Sequence, residues 1–196
     1  MARSIALFIH LLGMLTLFIA MAIVQRTGAR IRTASTVEEL RLWLSLARTT
    51  GPMWPSSLVF ILGSGLYLAG TGFSFETPFV VTAIVTILVI AVLGGAFVGR
   101  KMAAMGRAAG SSDGLTRQLR EQVTSPPLWI ATTTLNGLAL GVLWIMVDKP
   151  GWAQSIGVVV ALGVVGTVAG VVMTRRSPAS SSDASRTSGV TRRSGF

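Results

Sequence analysis

The chain has 196 residues, 51% hydrophobic and 12% charged, with 17 Lys and Arg against 7 Asp and Glu for a net charge of +10. Soluble domains carry about 25% charged residues, so this deficit, with a mean hydropathy of +0.68, excludes an ordinary water-soluble globule and makes lipid the main solvent. The chain has no cysteine, which removes disulfides, thiolate metal sites, cysteine nucleophiles and covalent haem attachment.

A membrane-spanning helix needs about 20 mainly apolar residues. Five segments qualify, Ile5–Val24, Met53–Phe73, Pro78–Gly99, Leu128–Val147 and Trp152–Met173, and none contains Asp, Glu, Lys or Arg. The first resembles a signal peptide, with Arg3 ahead and Ala20-Met21-Ala22 near its end. Its apolar run exceeds the usual h-region, and Arg26, Arg30 and Arg32 follow at once, so it reads as a retained span. In the first loop, Thr36 and Glu39 have capping-box spacing. Leu40, Trp43, Leu44 and Ala47 then share one helical face, and Arg41, Ser45 and Arg48 another. That pattern predicts an amphipathic helix, either lying in the headgroup region, where arginines can meet anionic lipid, or simply packed on the bundle.

The second span is predicted to be the least regular, with Pro52 and Pro55 at its start and Gly63, Gly65, Gly70 and Gly72 along it. The third continues outward through Arg100, Lys101 and Arg107. Leu115, Leu119 and Val123 recur at four-residue spacing and predict a short helix that Pro126-Pro127 ends. The fourth span carries Thr132, Thr133, Thr134 and Asn136, and the last is nearly all Val, Gly and Ala. Residues 176–196, rich in Ser, Thr, Gly and Arg, have nothing with which to build a core and are expected to form a disordered basic tail on a membrane domain of residues 1–175.

Alternate sides of the five spans hold fifteen and two of the Lys and Arg residues. The positive-inside rule places the fifteen in the cytoplasm, with the N-terminus outside and the C-terminus inside. This distribution accounts for the basic charge through topology. No nucleic-acid-binding motif accompanies it, and no nucleic-acid partner is expected.

Small residues four apart, Gly95 and Gly99, Gly137 and Gly141, Gly166 and Gly170, let helix backbones approach closely in lipid. They serve packing within this chain or a homo-oligomer interface, for which the last helix is the best suited.

Polar groups inside the spans are few. His10 is the single histidine, and Met14 lies on the same helical face. A neutral imidazole and a thioether suit soft Cu(I) or haem axial ligation; a histidine bonded to a hydroxyl or carbonyl of a neighbouring helix is the plainer reading. Asn136 falls near mid-membrane, where its amide requires a partner, and Thr16 lies at comparable depth. Thr132 shares the face of Asn136, and Thr82 and Thr86 form another polar stripe in the third span; these groups serve as interhelical glue or, with Asn136, as the lining of a small permease. The spans hold no carboxylate, and no HExxH, GxSxG, Walker or dinucleotide motif is present. No catalytic residue, and no complete metal site, is therefore expected.

Four patterns occur in order: Phe8-Ile9-His10-Leu11-Leu12-Gly13, Ser64-Gly65-Leu66-Tyr67-Leu68, Gly72-Phe73-Ser74-Phe75-Glu76-Thr77-Pro78-Phe79 and Met146-Val147-Asp148-Lys149-Pro150. Over roughly residues 5–172 the chain resembles a bacterial family of integral membrane proteins, domain of unknown function 2269, itself similar to the copper-resistance D membrane proteins. The resemblance implies a multi-pass protein of the bacterial plasma membrane. Relatives that handle metal or haem place a histidine early in the first span, where His10 stands; their further histidines are missing here. The expectation is an all-α, five-span transmembrane bundle, non-enzymatic and structural or accessory in role. Haem or copper association through His10 and Met14 is the alternative, and a small permease the second.

Overall fold

A computed structural model describes residues 1–175; the predicted tail lies outside the described residues. The elements are α1 (Ala2–Thr33), α2 (Val37–Arg48), α3 (Met53–Gly72), α4 (Pro78–Val92), a π-helical segment (Leu93–Gly99), α5 (Arg100–Ser111), α6 (Arg117–Val123), α7 (Pro126–Asp148) and α8 (Trp152–Arg175). Five helical stretches are long and apolar enough to cross a membrane, and they match the five predicted segments, the second ending one residue early at Gly72. The protein is an all-α bundle with no strand among the described residues.

α1 outruns its predicted span. At 1.5 Å per residue its 32 residues exceed the roughly 30 Å hydrocarbon thickness, and the surplus carries the basic end of the helix beyond the apolar layer. There Arg30 lies 5.8 Å from the Trp43 ring centroid and Arg32 5.4 Å from that of Trp129. Aromatic faces attract such cations through their quadrupole.

The capping box forms with one displacement. The Glu39 N–H donates to the Thr36 hydroxyl at 3.2 Å, while the Glu39 carboxylate accepts from the Ser35 N–H at 3.0 Å and from the Ser35 hydroxyl at 3.2 Å. The carboxylate thus reaches one residue further back than the usual box. α2 buries Leu40, Leu44 and Ala47 of the predicted face together with Val37, while Trp43 is half-buried. α6 is capped by Thr116, whose hydroxyl accepts from the Leu119 N–H at 3.2 Å. Pro126 and Pro127 open α7, because a first turn has no N–H bond for proline to lose.

The irregular span is the third, not the second. α3 is unbroken from Met53 to Gly72; Pro55 sits in its first turn. The π-helical turns fall at Leu93–Gly99, where Gly94, Gly95 and Gly99 make departure from α geometry inexpensive.

Two groups of helices make up the bundle. α1 packs along α3 and carries α2, while α7 packs along α8 and α4. α3 and α4 follow one another in sequence yet touch along little of their length, so a cleft runs between the groups. At the basic end the cleft is bridged. Arg41 donates from Nε to the Ala109 carbonyl at 2.8 Å and from Nη2 to the Ser112 carbonyl at 2.7 Å. Arg120 donates to the Ala34 carbonyl at 2.8 Å, and the Trp129 ring occupies the space a side chain would need at Gly28. At the opposite end Lys149 lies 5.4 Å from the Phe73 ring centroid, and Phe73 meets Phe79 edge-on at 5.3 Å.

The α7–α8 seam explains most of the paired glycines. A Cβ at Gly137 would overlap the Leu162 carbonyl, one at Gly166 the Thr133 carbonyl, and one at Gly170 the Thr133 hydroxyl. At Gly141 it would lie 2.9 Å from Val159 Cα. These glycines are spent inside the chain, and α8 turns Ile156, Val160, Val164, Val168 and Val172 outward. Gly95 and Gly99 meet no other helix.

Candidate site: two cavities in one cleft

Two cavities open into the cleft. The larger, about 950 Å³, lies at the basic end. Its mouth carries Arg41 and Arg48 from α2 and Arg107 from α5. Its inner end is formed by Thr132, Leu135 and Asn136 of α7, and its side by Gly94, Gly95 and Gly99 of the π-helical segment. No carboxylate lines it among the described residues.

Each polar group here has a structural cause. α2 presents Arg41 and Arg48 because they lie off its buried face. Arg41 is held by the two carbonyls at the end of α5, which fix its guanidinium in place. Thr132 bonds the Leu128 carbonyl of its own helix at 2.8 Å. Asn136 is half-buried halfway along α7. Its amide faces the cavity and makes no hydrogen bond to any described residue.

The smaller cavity, about 440 Å³, lies towards the other end, with Arg3 and Lys149 at its mouth and His10, Met14, Phe73, Phe79 and Met146 among its walls. His10 Nδ1 lies 3.0 Å from the Ile61 carbonyl and 3.2 Å from Ser64 Oγ. A carbonyl only accepts, so Nδ1 carries the proton and Nε2 keeps a free lone pair. Gly65 makes room for the ring: a Cβ there would lie 3.2 Å from His10 Cε1. The Ser64-Gly65 pair is thus the seat of the histidine.

The remaining sequence-predicted polar residues are not brought together. Thr16 bonds the Leu12 carbonyl at 2.8 Å, Thr82 the Pro78 carbonyl at 2.8 Å and Thr86 the Thr82 carbonyl at 2.7 Å. Each is satisfied on its own helix, and none lines either cavity. Interhelical polar glue comes from Thr134 and Thr167, whose hydroxyls lie 2.8 Å apart across α7 and α8. Sequence reasoning also missed the Arg32–Trp129 stack. The Arg32 Nε and Nη1 have no hydrogen-bond partner among the described residues, and Trp129 donates to the Val123 carbonyl at 2.7 Å. His10 and Met14 do share one cavity. No group of three or more His, Cys, Asp or Glu suited to a metal ion occurs among the described residues.

Comparison with family models, with curated proteins and with solved structures finds no match for this chain.

Proposed function

We propose that the chain is a non-enzymatic accessory protein of a bacterial plasma membrane that holds an anionic phospholipid headgroup in the larger cavity, on the cytoplasmic side. One observation carries this reading. Arginines from two separate helices converge on a single apolar-walled cavity that contains no carboxylate among the described residues. Basic pockets between transmembrane helices suit such headgroups, and a guanidinium fits a phosphate as a two-pronged donor. The sparse α3–α4 contact leaves the cleft open towards lipid, so the acyl chains can stay in the bilayer while the headgroup sits among the arginines. The charge distribution supports a cytoplasmic placement of this end.

The test is lipid retention. Protein purified in mild detergent from membranes containing phosphatidylglycerol and phosphatidylcholine should keep the first preferentially in native mass spectrometry. Arg48→Gln with Arg107→Gln should abolish the preference without unfolding the protein. Equal retention of both lipids by the wild type would overturn the reading.

A second reading is favoured by one observation. The Nε2 lone pair of His10 is free beside Met14 in the smaller cavity, an arrangement suited to haem or Cu(I). An absorption spectrum with metal analysis decides it: a Soret band or stoichiometric copper, lost in His10→Ala, supports the site, and a colourless, metal-free protein removes it.

A further inference from the structure

The two cavities share their walls. Leu7, His10, Met14, Leu17, Met21 and Val24 follow one another on α1 at intervals of three or four residues, so they form one helical face. The first three line the smaller cavity and the last two the larger. On the third span, Ala83 and Ile87 line the smaller cavity and Gly94 and Val98 the larger, with Ile90 between them. On α7, Thr132 and Asn136 line the larger and Val142 and Met146 the smaller, with Ala139 between them. α3 likewise supplies Trp54 and Pro55 to one and Ile61, Gly65 and Ala69 to the other. Four helices therefore enclose two compartments of a single cleft.

What separates the compartments is thin. Leu17, Ile90 and Ala139 are 0%, 0% and 1% exposed and belong to the common core. Met14 and Met21, the nearest lining residues on α1 to either side, are seven residues apart, or about 10 Å along the helix. An ion in plain bilayer faces about 30 Å of hydrocarbon. Polar groups flank the barrier, Asn136 on one side and His10 on the other, and every charged side chain lining either compartment is cationic. The π-helical segment begins three residues after Ile90. A π-turn bearing three glycines is the place where this wall can rearrange.

We propose that the cleft is a passage through which the headgroup of an anionic phospholipid crosses between leaflets, with Leu17, Ile90 and Ala139 as its barrier and the arginine-lined cavity as its entry. The proposal rests on the headgroup-binding reading above. The headgroup enters between Arg48 and Arg107 and passes Asn136. It crosses the septum when the two helix groups part, and it emerges past His10 towards Arg3 and Lys149. The acyl chains remain in lipid, because α3 and α4 leave the cleft unsealed on that side.

The experiment uses the full chain in vesicles of phosphatidylcholine and phosphatidylglycerol carrying a trace of NBD-labelled phosphatidylglycerol, quenched from outside with dithionite. Wild-type vesicles should lose fluorescence beyond the outer-leaflet share, while protein-free vesicles should not. Leu17→Ala with Ile90→Ala should speed the second phase by roughly tenfold and Asn136→Leu should slow it by a similar factor, each a change of about one decade in rate constant. NBD-labelled phosphatidylcholine should cross more slowly than the phosphatidylglycerol probe. Loss of the outer-leaflet share alone, in both wild type and the widened septum variant, overturns the passage, as does equal speed for the two probes. Lipid retention by the same preparations separates the two ideas. Preferential retention of phosphatidylglycerol without crossing sinks only the passage, and absence of preferential retention sinks the binding reading as well. Asn136→Leu leaves the core layer intact, so its rate stays interpretable if the septum variant fails to fold.

Discussion

Replacing Gly137 by alanine sets two effects against each other. In a helix interior, alanine is favoured over glycine by about 1 kcal/mol, so the change should stabilise α7 by itself. The new methyl, however, falls on the Leu162 carbonyl of α8, and this backbone cannot step aside as a flexible side chain could. The helices must part by on the order of 1 Å, and a gap of that size forfeits up to about half of each dispersion well. With ~0.1–0.2 kcal/mol per atom pair and a few tens of pairs along the seam, the loss is about 2–4 kcal/mol. Lipid supplies no hydrophobic drive between helices to offset it. The net expectation is destabilisation by about 1–3 kcal/mol, within the usual range for overpacking. Gly157 lies on α8 with nothing within 4 Å of a Cβ, so Gly157→Ala keeps only the propensity gain and should stabilise by up to about 1 kcal/mol. Unfolding in mixed micelles of increasing dodecyl sulfate fraction, followed by circular dichroism, gives both values. Two variants shifted in the same direction, or Gly137→Ala as stable as wild type, would refute the account of the seam.

Four further outcomes are expected. Arg41→Lys should loosen α2 from α5, because an ammonium cannot reproduce the forked donation to the Ala109 and Ser112 carbonyls; faster amide exchange in both helices would show it, and unchanged exchange would not be compatible with the bridge. Thr36→Ala should cost about 1 kcal/mol of local stability at the start of α2, read as exchange at Glu39. The Ser35 backbone N–H, helped by the Ser35 hydroxyl, holds the Glu39 carboxyl below its ordinary value; its contribution is therefore present above the unfolded-state value and lost as pH falls through the folded-state one, so acid should fray this helix start in wild type and not in Glu39→Gln. Thr134→Val should cost about 0.6 kcal/mol, the average for an interhelical hydrogen bond in lipid, and Thr167→Val should add nothing across the seam in the double variant, because the other bond of each hydroxyl, to the Ile130 and Gly163 carbonyls, stays within its own helix.

The five spans were legible in the sequence because each is a long apolar run without charge, and lipid requires an internally bonded helix of about that length. The capped helix α2 was legible for a local reason: Thr36, Glu39 and the apolar face lie within twelve residues of one another, so no distant contact was needed to foresee them. Pairing of His10 with Met14 in one cavity also followed from helical spacing. The seat of His10 did not, since Ile61, Ser64 and Gly65 lie more than fifty residues away and only the α1–α3 packing brings them there. Thr16 looked level with Asn136, and Thr82 and Thr86 looked available for a path, because depth can be read from sequence while rotation towards a neighbour cannot. A threonine hydroxyl can always turn back to its own helix, as these three do. The same holds for the glycines. Spacing identified which helices could approach closely, but the tertiary structure alone decided that Gly137, Gly141, Gly166 and Gly170 form a seam within the chain while Gly94, Gly95 and Gly99 line a cavity. Sequence by itself determined the number of crossings and their chemistry, because those depend on runs of adjacent residues and on the solvent around them. The cleft, its two cationic mouths and its thin septum exist only through the sparse contact of α3 with α4, a relation between whole helices that no local pattern encodes.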